Sequence, residues 1–326
     1  MTDARALWTV APGRCELRRE TLRPRGADEV LVRTLASGVS RGTERLVLHG
    51  RVPPLMHEAM RAPFQSGFFS FPVKYGYSAV GVVVEGPSGL LGRRVFCLHP
   101  HQDFFIVPTA MAAPIPDTVP DARAVLAANM ETAVNILWDA RPLIGERALV
   151  LGAGVVGLLA AALLSRVPGV ELVIADPDPA RRAPAEALGL RLVSPQDAPG
   201  ERDLIIHASG HPDGLRQALS LAGFEGRIVE ASWFGDREAV LPLGEAFHAK
   251  RLSIVSTQVG AVAPAMRGRR SHADRLTLAL DLLEDARFDA LVGPVTRFAD
   301  LAEALPALLD PPAGAAAPLC PVVTYG

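Results

Sequence analysis

Three glycines at one spacing are the first residues that could do chemistry. Leu149-Val-Leu-Gly-Ala-Gly-Val-Val-Gly157 sets Gly152, Gly154 and Gly157 in a Gly-x-Gly-x-x-Gly turn, between an apolar β-like run and an apolar helical run ending near Ser165. In such a turn the first glycine permits the bend, the second lets the backbone approach a diphosphate, and the third lets helix and strand pack closely. The backbone N–H groups of Gly154, Val155, Val156 and Gly157 then open a helix whose positive end faces an anion. Asp176 ends the next β-like run, 24 residues after Gly152. An acid near that spacing accepts hydrogen bonds from the adenosine ribose hydroxyls of a bound dinucleotide.

The cofactor expected from this pattern is NAD(H). NADP(H) is less favoured, because a carboxylate at Asp176 repels a 2′-phosphate. Two details stay open. Asp176 either meets the ribose or caps the Asp-Pro-Asp-Pro turn that it begins, and Arg181 with Arg182 could accept a 2′-phosphate. His207-Ala-Ser-Gly210 ends the β-like run over 203–208, so Ser209 and Gly210 either line the cofactor or form an ordinary strand-to-helix turn.

The elements that must position these residues alternate. β-like runs at 148–151, 171–175, 203–208 and 227–231 are separated by helical runs near 154–166, 179–189 and 212–222. Strand–helix alternation predicts a doubly wound parallel sheet, an α/β class. Before it, residues 1–120 carry short β-like runs at 29–34, 79–84, 94–98 and 104–107, punctuated by Gly and Pro as in a compact β domain. A single helix is expected over 121–140 with Asp121 as its N-cap. Two more are expected over 274–283 and 298–309, and a returning strand over 321–325. The expected division is 1–120, completed by 271–326, and 121–270.

Composition excludes some functions. A net charge of −2, from 33 basic and 35 acidic residues, argues against a nucleic-acid binder. Only Lys74 and Lys250 could form a Schiff base, and no Tyr-x-x-x-Lys exists for short-chain reductase chemistry. Cys15, Cys97 and Cys320 are too few and too scattered for a metal knuckle and suit a reducing compartment. The N-terminal run lacks the basic-then-apolar plan of a signal peptide, and the longest apolar stretch is the glycine motif itself. A soluble, cytoplasmic protein without membrane or nucleic-acid partners, acting on a small molecule, is expected.

Several motifs occur in an order that resembles the medium-chain dehydrogenase/reductase superfamily, whose zinc-type members are the alcohol dehydrogenases. Gly38-Val-Ser-Arg-Gly-Thr-Glu44 resembles its Gly-[Ile/Val]-Cys-x-Thr-Asp. Lys74-Tyr-Gly-Tyr-Ser-Ala-Val-Gly81 resembles its Gly-His-Glu-x-x-Gly, and Gly92-Arg-Arg-Val-Phe96 its Gly-Asp-Arg-Val. The run 247–254 resembles the approach to the last strand of its parallel sheet. The resemblance implies a GroES-like β-rich catalytic domain plus a Rossmann NAD-binding domain, often assembled as a homodimer or homotetramer. Locally, 38–54 is most similar to the zinc-free branch that oxidises the hydroxyethyl side chain of bacteriochlorophyllide a.

The departures carry information too. Ser40 and Tyr77 stand where zinc-dependent members have Cys and His, Ser78 replaces the acid after the His, and Asn129 falls near the third ligand, with Glu131 two residues on. Neutral hydroxyls and an amide are poor zinc ligands, so no zinc is expected. His99 and His101 beside Cys97 suggest a metal site, a lining of the cleft, or ordinary surface histidines. Without a metal, hydrogen-bond donors must stabilise the substrate oxygen. Ser40, Thr43 and Tyr77 are the candidates, with Glu44 or His101 taking the alcohol's proton; packing replacement is the plain alternative for Ser40 and Tyr77. Four phenylalanines in 64–71 form either an apolar substrate wall or local core, and Trp233 follows the run 227–231 near the cofactor. The expected reaction interconverts a secondary alcohol and a ketone on an apolar or aromatic substrate. The alternatives are a quinone- or enoyl-reductase-like enzyme and a catalytically decayed cofactor-binding protein.

Overall fold

A computed structural model describes residues 2–326. The chain forms two compact units, one from the residues up to Ala128 together with Leu276–Gly326, the other from Asn129–Arg275. No helix among the described residues is long and apolar enough to cross a membrane.

The second unit is built on a six-stranded sheet of Arg147–Leu151, Glu171–Ala175, Leu192–Val193, Arg202–His207, Ala222–Glu230 and Ser253–Ser256. Numbered in chain order, these lie side by side as third, second, first, fourth, fifth, sixth. Every pairing is parallel. This is the doubly wound Rossmann order, whose ligand crevice opens at the carboxyl ends of the first and fourth strands, where the winding reverses. Leu149, Ile205 and Ile228, all fully buried, bring the strands into one core with Leu215 and Leu219 of the helix Pro212–Leu221. Leu192–Val193 is too short to register in a sequence pattern, and Ala222–Glu230 starts five residues earlier than expected.

The first unit is antiparallel in most of its pairings. Asp3–Ala11 and Arg14–Thr21 make a hairpin that two short strands extend to a four-stranded sheet. The larger sheet centres on Glu29–Gly38, which pairs with Ala79–Glu85, with Phe104–Pro108 and with the returning strand Cys320–Thr324. Val30, Val32, Val83, Val95, Phe105 and Val107 fill its core. Gly81 is required inside it, since a Cβ there would lie 2.4 Å from Val32 Cγ1 and 2.6 Å from the Arg33 carbonyl.

The single helix expected over 121–140 is two. Asp121–Ala124 is capped by Pro120 rather than by Asp121, and a new helix runs from Ala127 to Ala140. The sequence hides the break because Val125 and Leu126 are fully buried apolar residues that also suit a helix. Near the C-terminus a 3₁₀ turn at Phe298–Asp300 leads into Leu301–Leu309.

Candidate active site and cofactor cradle

In the first unit Ser40 lies two residues beyond the strand Glu29–Gly38 and N-caps the helix Arg41–Leu48. The Ser40 N–H donates to Glu44 Oε1 at 2.7 Å, so the helix reaches back one turn to tie its own start. The other carboxylate oxygen faces His101 Nε2 at 3.1 Å, with both side chains almost wholly buried. On its far side His101 Nδ1 meets the Ser37 hydroxyl at 2.7 Å, which in turn meets the Tyr325 hydroxyl at 2.8 Å. Four separate segments thus supply one chain of hydrogen bonds: Glu44, His101, Ser37, Tyr325.

Each member is held by the fold. The Leu7 N–H donates to the His101 carbonyl at 2.9 Å, anchoring that loop to the N-terminal strand. Ser37 and Val323 are register partners, which brings Tyr325 alongside. Gly76 lies against the imidazole: at φ +119° its ideal Cβ would be 2.9 Å from His101 Cδ2. Only glycine fits both that backbone and that space. Ser37 and Tyr325 escape sequence reasoning, because no spacing links them to His101, whereas Gly76 lies within the Lys74–Gly81 motif.

Next to Glu44 lies a group of hydroxyls. The half-buried Tyr77 phenol hydrogen-bonds the side chains of Ser40 and Thr43. Burial pushes Tyr77 up to about 12, against those two hydrogen bonds, so it is a neutral donor at any ordinary pH. Burial likewise pushes the nearby Cys320 thiol up to about 12 and the Tyr325 phenol well above its usual value. The five residues singled out, Ser40, Thr43, Glu44, Tyr77 and His101, are therefore brought together.

His99 and His101 are both buried, which corrects the surface reading. His99 stacks on Phe105 with ring centroids 3.9 Å apart, and burial pushes it down to about 3, so it is a neutral core residue. Ser78, in place of the family's acid, donates to the Val125 carbonyl. Asn129 and Glu131 belong to the second unit, where Glu131 is buried against the fully buried Arg275 guanidinium at 3.0 Å. No group of three or more His, Cys, Asp or Glu side chains among the described residues could hold a metal ion. Around Ser40 stand the Thr43 and Tyr77 hydroxyls, while the Glu44 carboxylate is turned to the Ser40 N–H and to His101 and both His101 nitrogens are engaged, so this set is a poor fit for zinc.

The phenylalanines of 64–71 do not form one wall. Phe69 is buried against His57 and Tyr75, Phe64 packs on His99, and Phe68 is 64% exposed.

In the second unit the glycine turn has the geometry that its spacing requires. Gly152 has φ +105°, and a Cβ on it would lie 2.6 Å from the Ser209 backbone. A Cβ on Gly157 would lie 1.9 Å from the Gly152 carbonyl oxygen, whereas Gly154 faces open space. Gly154 caps the helix Val155–Leu164, so Val155, Val156 and Gly157 form its first turn. These features fit a diphosphate: a bare backbone, a free approach at Gly154 and a helix N-terminus.

Asp176 accepts the Ala153 N–H at 2.7 Å and the Asp178 N–H at 2.8 Å. It ties the glycine turn to the end of the second strand and caps its own turn, and each oxygen keeps a lone pair for a ribose hydroxyl. Arg181 is buried and paired with Asp178 at 3.3 Å, while Arg182 is exposed. Ser209 is exposed beside Gly152, and the Gly210 N–H donates to Ser232 Oγ at 3.1 Å.

No protein-family model matches the chain. Among curated proteins it is 30% identical over 171 residues to the starvation-sensing protein RspB of Escherichia coli K12, covering 49% of this chain and 50% of that one. It is 32% identical over 123 residues to L-threonine 3-dehydrogenase of Mesorhizobium japonicum, covering 37% and 35%. The matches thus span about half or less of these relatives' lengths. Solved structures match throughout. L-idonate 5-dehydrogenase of E. coli superposes with a TM-score of 0.81 at 17% identity over 99% of both chains. An E. coli alcohol dehydrogenase, rspB, complexed with NADH gives 0.77 at 19% over the whole of both. A Sinorhizobium meliloti protein bound to NADP gives 0.77 at 19%, over 99% of this chain and all of that one. The fold is therefore that of the medium-chain alcohol dehydrogenases, a GroES-like unit plus a Rossmann unit.

Proposed function

We propose that this chain is a zinc-independent oxidoreductase of the medium-chain dehydrogenase/reductase superfamily. It interconverts a secondary alcohol and a ketone with NAD(H), in a reducing, cytoplasmic setting. The observation that carries the reading is the buried Glu44–His101 pair beneath the Ser40, Thr43 and Tyr77 hydroxyls. The names of the relatives, which are dehydrogenases of hydroxy acids and alcohols, support the reaction class.

Gly152, Gly154, Val155, Val156 and Gly157 would hold the diphosphate, with Asp176 on the ribose and Ser209 and Gly210 on the facing side of the turn. Arg181, turned to Asp178, steadies the turn after Asp176 and offers little to a 2′-phosphate. A bound nicotinamide would supply the hydride acceptor. The residues of the first unit do the rest. Tyr77, with Ser40 and Thr43, donates hydrogen bonds to the substrate oxygen, which needs a donor most as a ketone being reduced. In oxidation the Glu44–His101 pair would take the alcohol's O–H proton, and in reduction it would return it.

The test is absorbance at 340 nm with NAD⁺ and L-threonine, L-idonate, benzyl alcohol and butane-2,3-diol. At least one should give NADH, and Tyr77→Phe should lower kcat with little change in NADH affinity. An inactive panel together with an absence of dinucleotide binding would overturn the reading.

A further inference from the structure

Beside the glycine turn, three residues make an acid–imidazole–hydroxyl line that the reading above leaves unused. Glu230, the last residue of the fifth strand, meets His207 Nδ1 at 2.7 Å, and His207 Nε2 meets Ser209 Oγ at 2.7 Å. His207 ends the fourth strand and is fully buried; Ser209, two residues on, is exposed. The line is closed in. A Cβ on Gly214 would lie 2.4 Å from His207 Nε2 and 2.6 Å from Ser209 Oγ, so the helix Pro212–Leu221 comes this close only through a glycine.

The hydrogens can be assigned by elimination. Glu230 is an acceptor, so Nδ1 carries the proton of neutral His207 and Nε2 is left as an acceptor. Ser209 must then give its only hydrogen to Nε2. Its oxygen also accepts the His211 N–H at 3.1 Å, and the contact to the His211 carbonyl, at 3.4 Å, is too long to compete. One lone pair remains. Resting on the dinucleotide reading above, we infer that Glu230 and His207 fix the Ser209 hydroxyl as a pure acceptor for a hydroxyl or amide donor of the bound dinucleotide. Ser209 is placed for this. Its backbone fills the space that a Cβ on Gly152 would need, at the crevice between the first and fourth strands. A phosphate oxygen, which has no hydrogen to give, is refused by the same lone pair.

The experiment measures NADH and NADPH dissociation constants by fluorescence on the intact protein. Ser209→Ala should bind NADH about three- to tenfold more weakly than the wild type, and Ser209→Thr, which keeps the hydroxyl, should bind as the wild type does. His207→Phe, which no longer takes the Ser209 hydrogen, should weaken NADH binding as Ser209→Ala does, and the double variant should lose no more than either alone. Ser209→Ala binding as tightly as the wild type, or additive losses in the double variant, overturns the inference and leaves the dinucleotide reading standing. Binding of neither dinucleotide by the wild type overturns both.

Discussion

The two halves of the candidate machinery are built in opposite ways. The cofactor cradle is local: Gly152 to Gly157 forms within six residues, and its tie to Asp176 crosses a single strand–helix–strand unit. The acid–base chain of the first unit is assembled. Ser37, Glu44, His101 and Tyr325 come from four segments, and the outer hydrogen bond spans 288 residues. A local site fails by blocking one turn. An assembled site fails wherever one of its supporting segments shifts, so the two respond differently to substitution.

The largest effect should come from His101→Ala, which leaves Glu44 buried without its partner. Turnover should fall by about 10²–10⁴ while NADH affinity stays within about twofold. Loss of both would mean that the assembled site is only scaffolding. Gly157→Ala tests the other half, because its Cβ would lie 1.9 Å from the Gly152 carbonyl. NADH affinity should drop at least about 100-fold, roughly two hydrogen bonds to a charged group. Unchanged binding would remove the turn from its role.

Gly76→Ala should act at a distance from any ligand. It strains a positive-φ backbone and pushes on the His101 ring, at a cost of about 1–3 kcal/mol in denaturant unfolding. Turnover should fall with it, and an unperturbed kcat would show that the imidazole tolerates displacement. The last effect concerns His99 and leaves neutral pH untouched. Folded, it stays neutral down to about 3. Unfolded, it takes a proton near pH 6.5. Its contribution is thus fully present above pH 6.5 and is lost as pH falls towards 3, by at most about 1.4 kcal/mol per pH unit. His99→Phe, which keeps a ring on Phe105, should flatten the acid limb of the stability curve. An identical acid limb in the variant would place the sensitivity elsewhere.

What could be read from the sequence follows the same division. The glycine turn, Asp176 and the parallel strands were legible because their chemistry and spacing lie in one stretch of chain. Ser40, Thr43, Glu44, Tyr77 and His101 were legible as residue types in motifs. Their joining through Ser37 and Tyr325 was not, because it depends on the register of the returning strand against Glu29–Gly38. His99 illustrates the limit from the other side. Its neighbour His101 has similar sequence surroundings, yet one ring stacks in the core and the other bridges Glu44 and Ser37. The phenylalanines of 64–71 show it again, since their clustering along the chain did not survive folding as a single surface.

The central claim is that hydroxyls and a buried histidine–glutamate pair do the polarising. It is tested most directly by measuring zinc content and NAD⁺-dependent turnover together, before and after exhaustive chelation, on whichever alcohol of the panel reacts. Turnover should stay unchanged at well below one zinc per chain. Turnover that disappears with the metal and returns in proportion to one added zinc would contradict it.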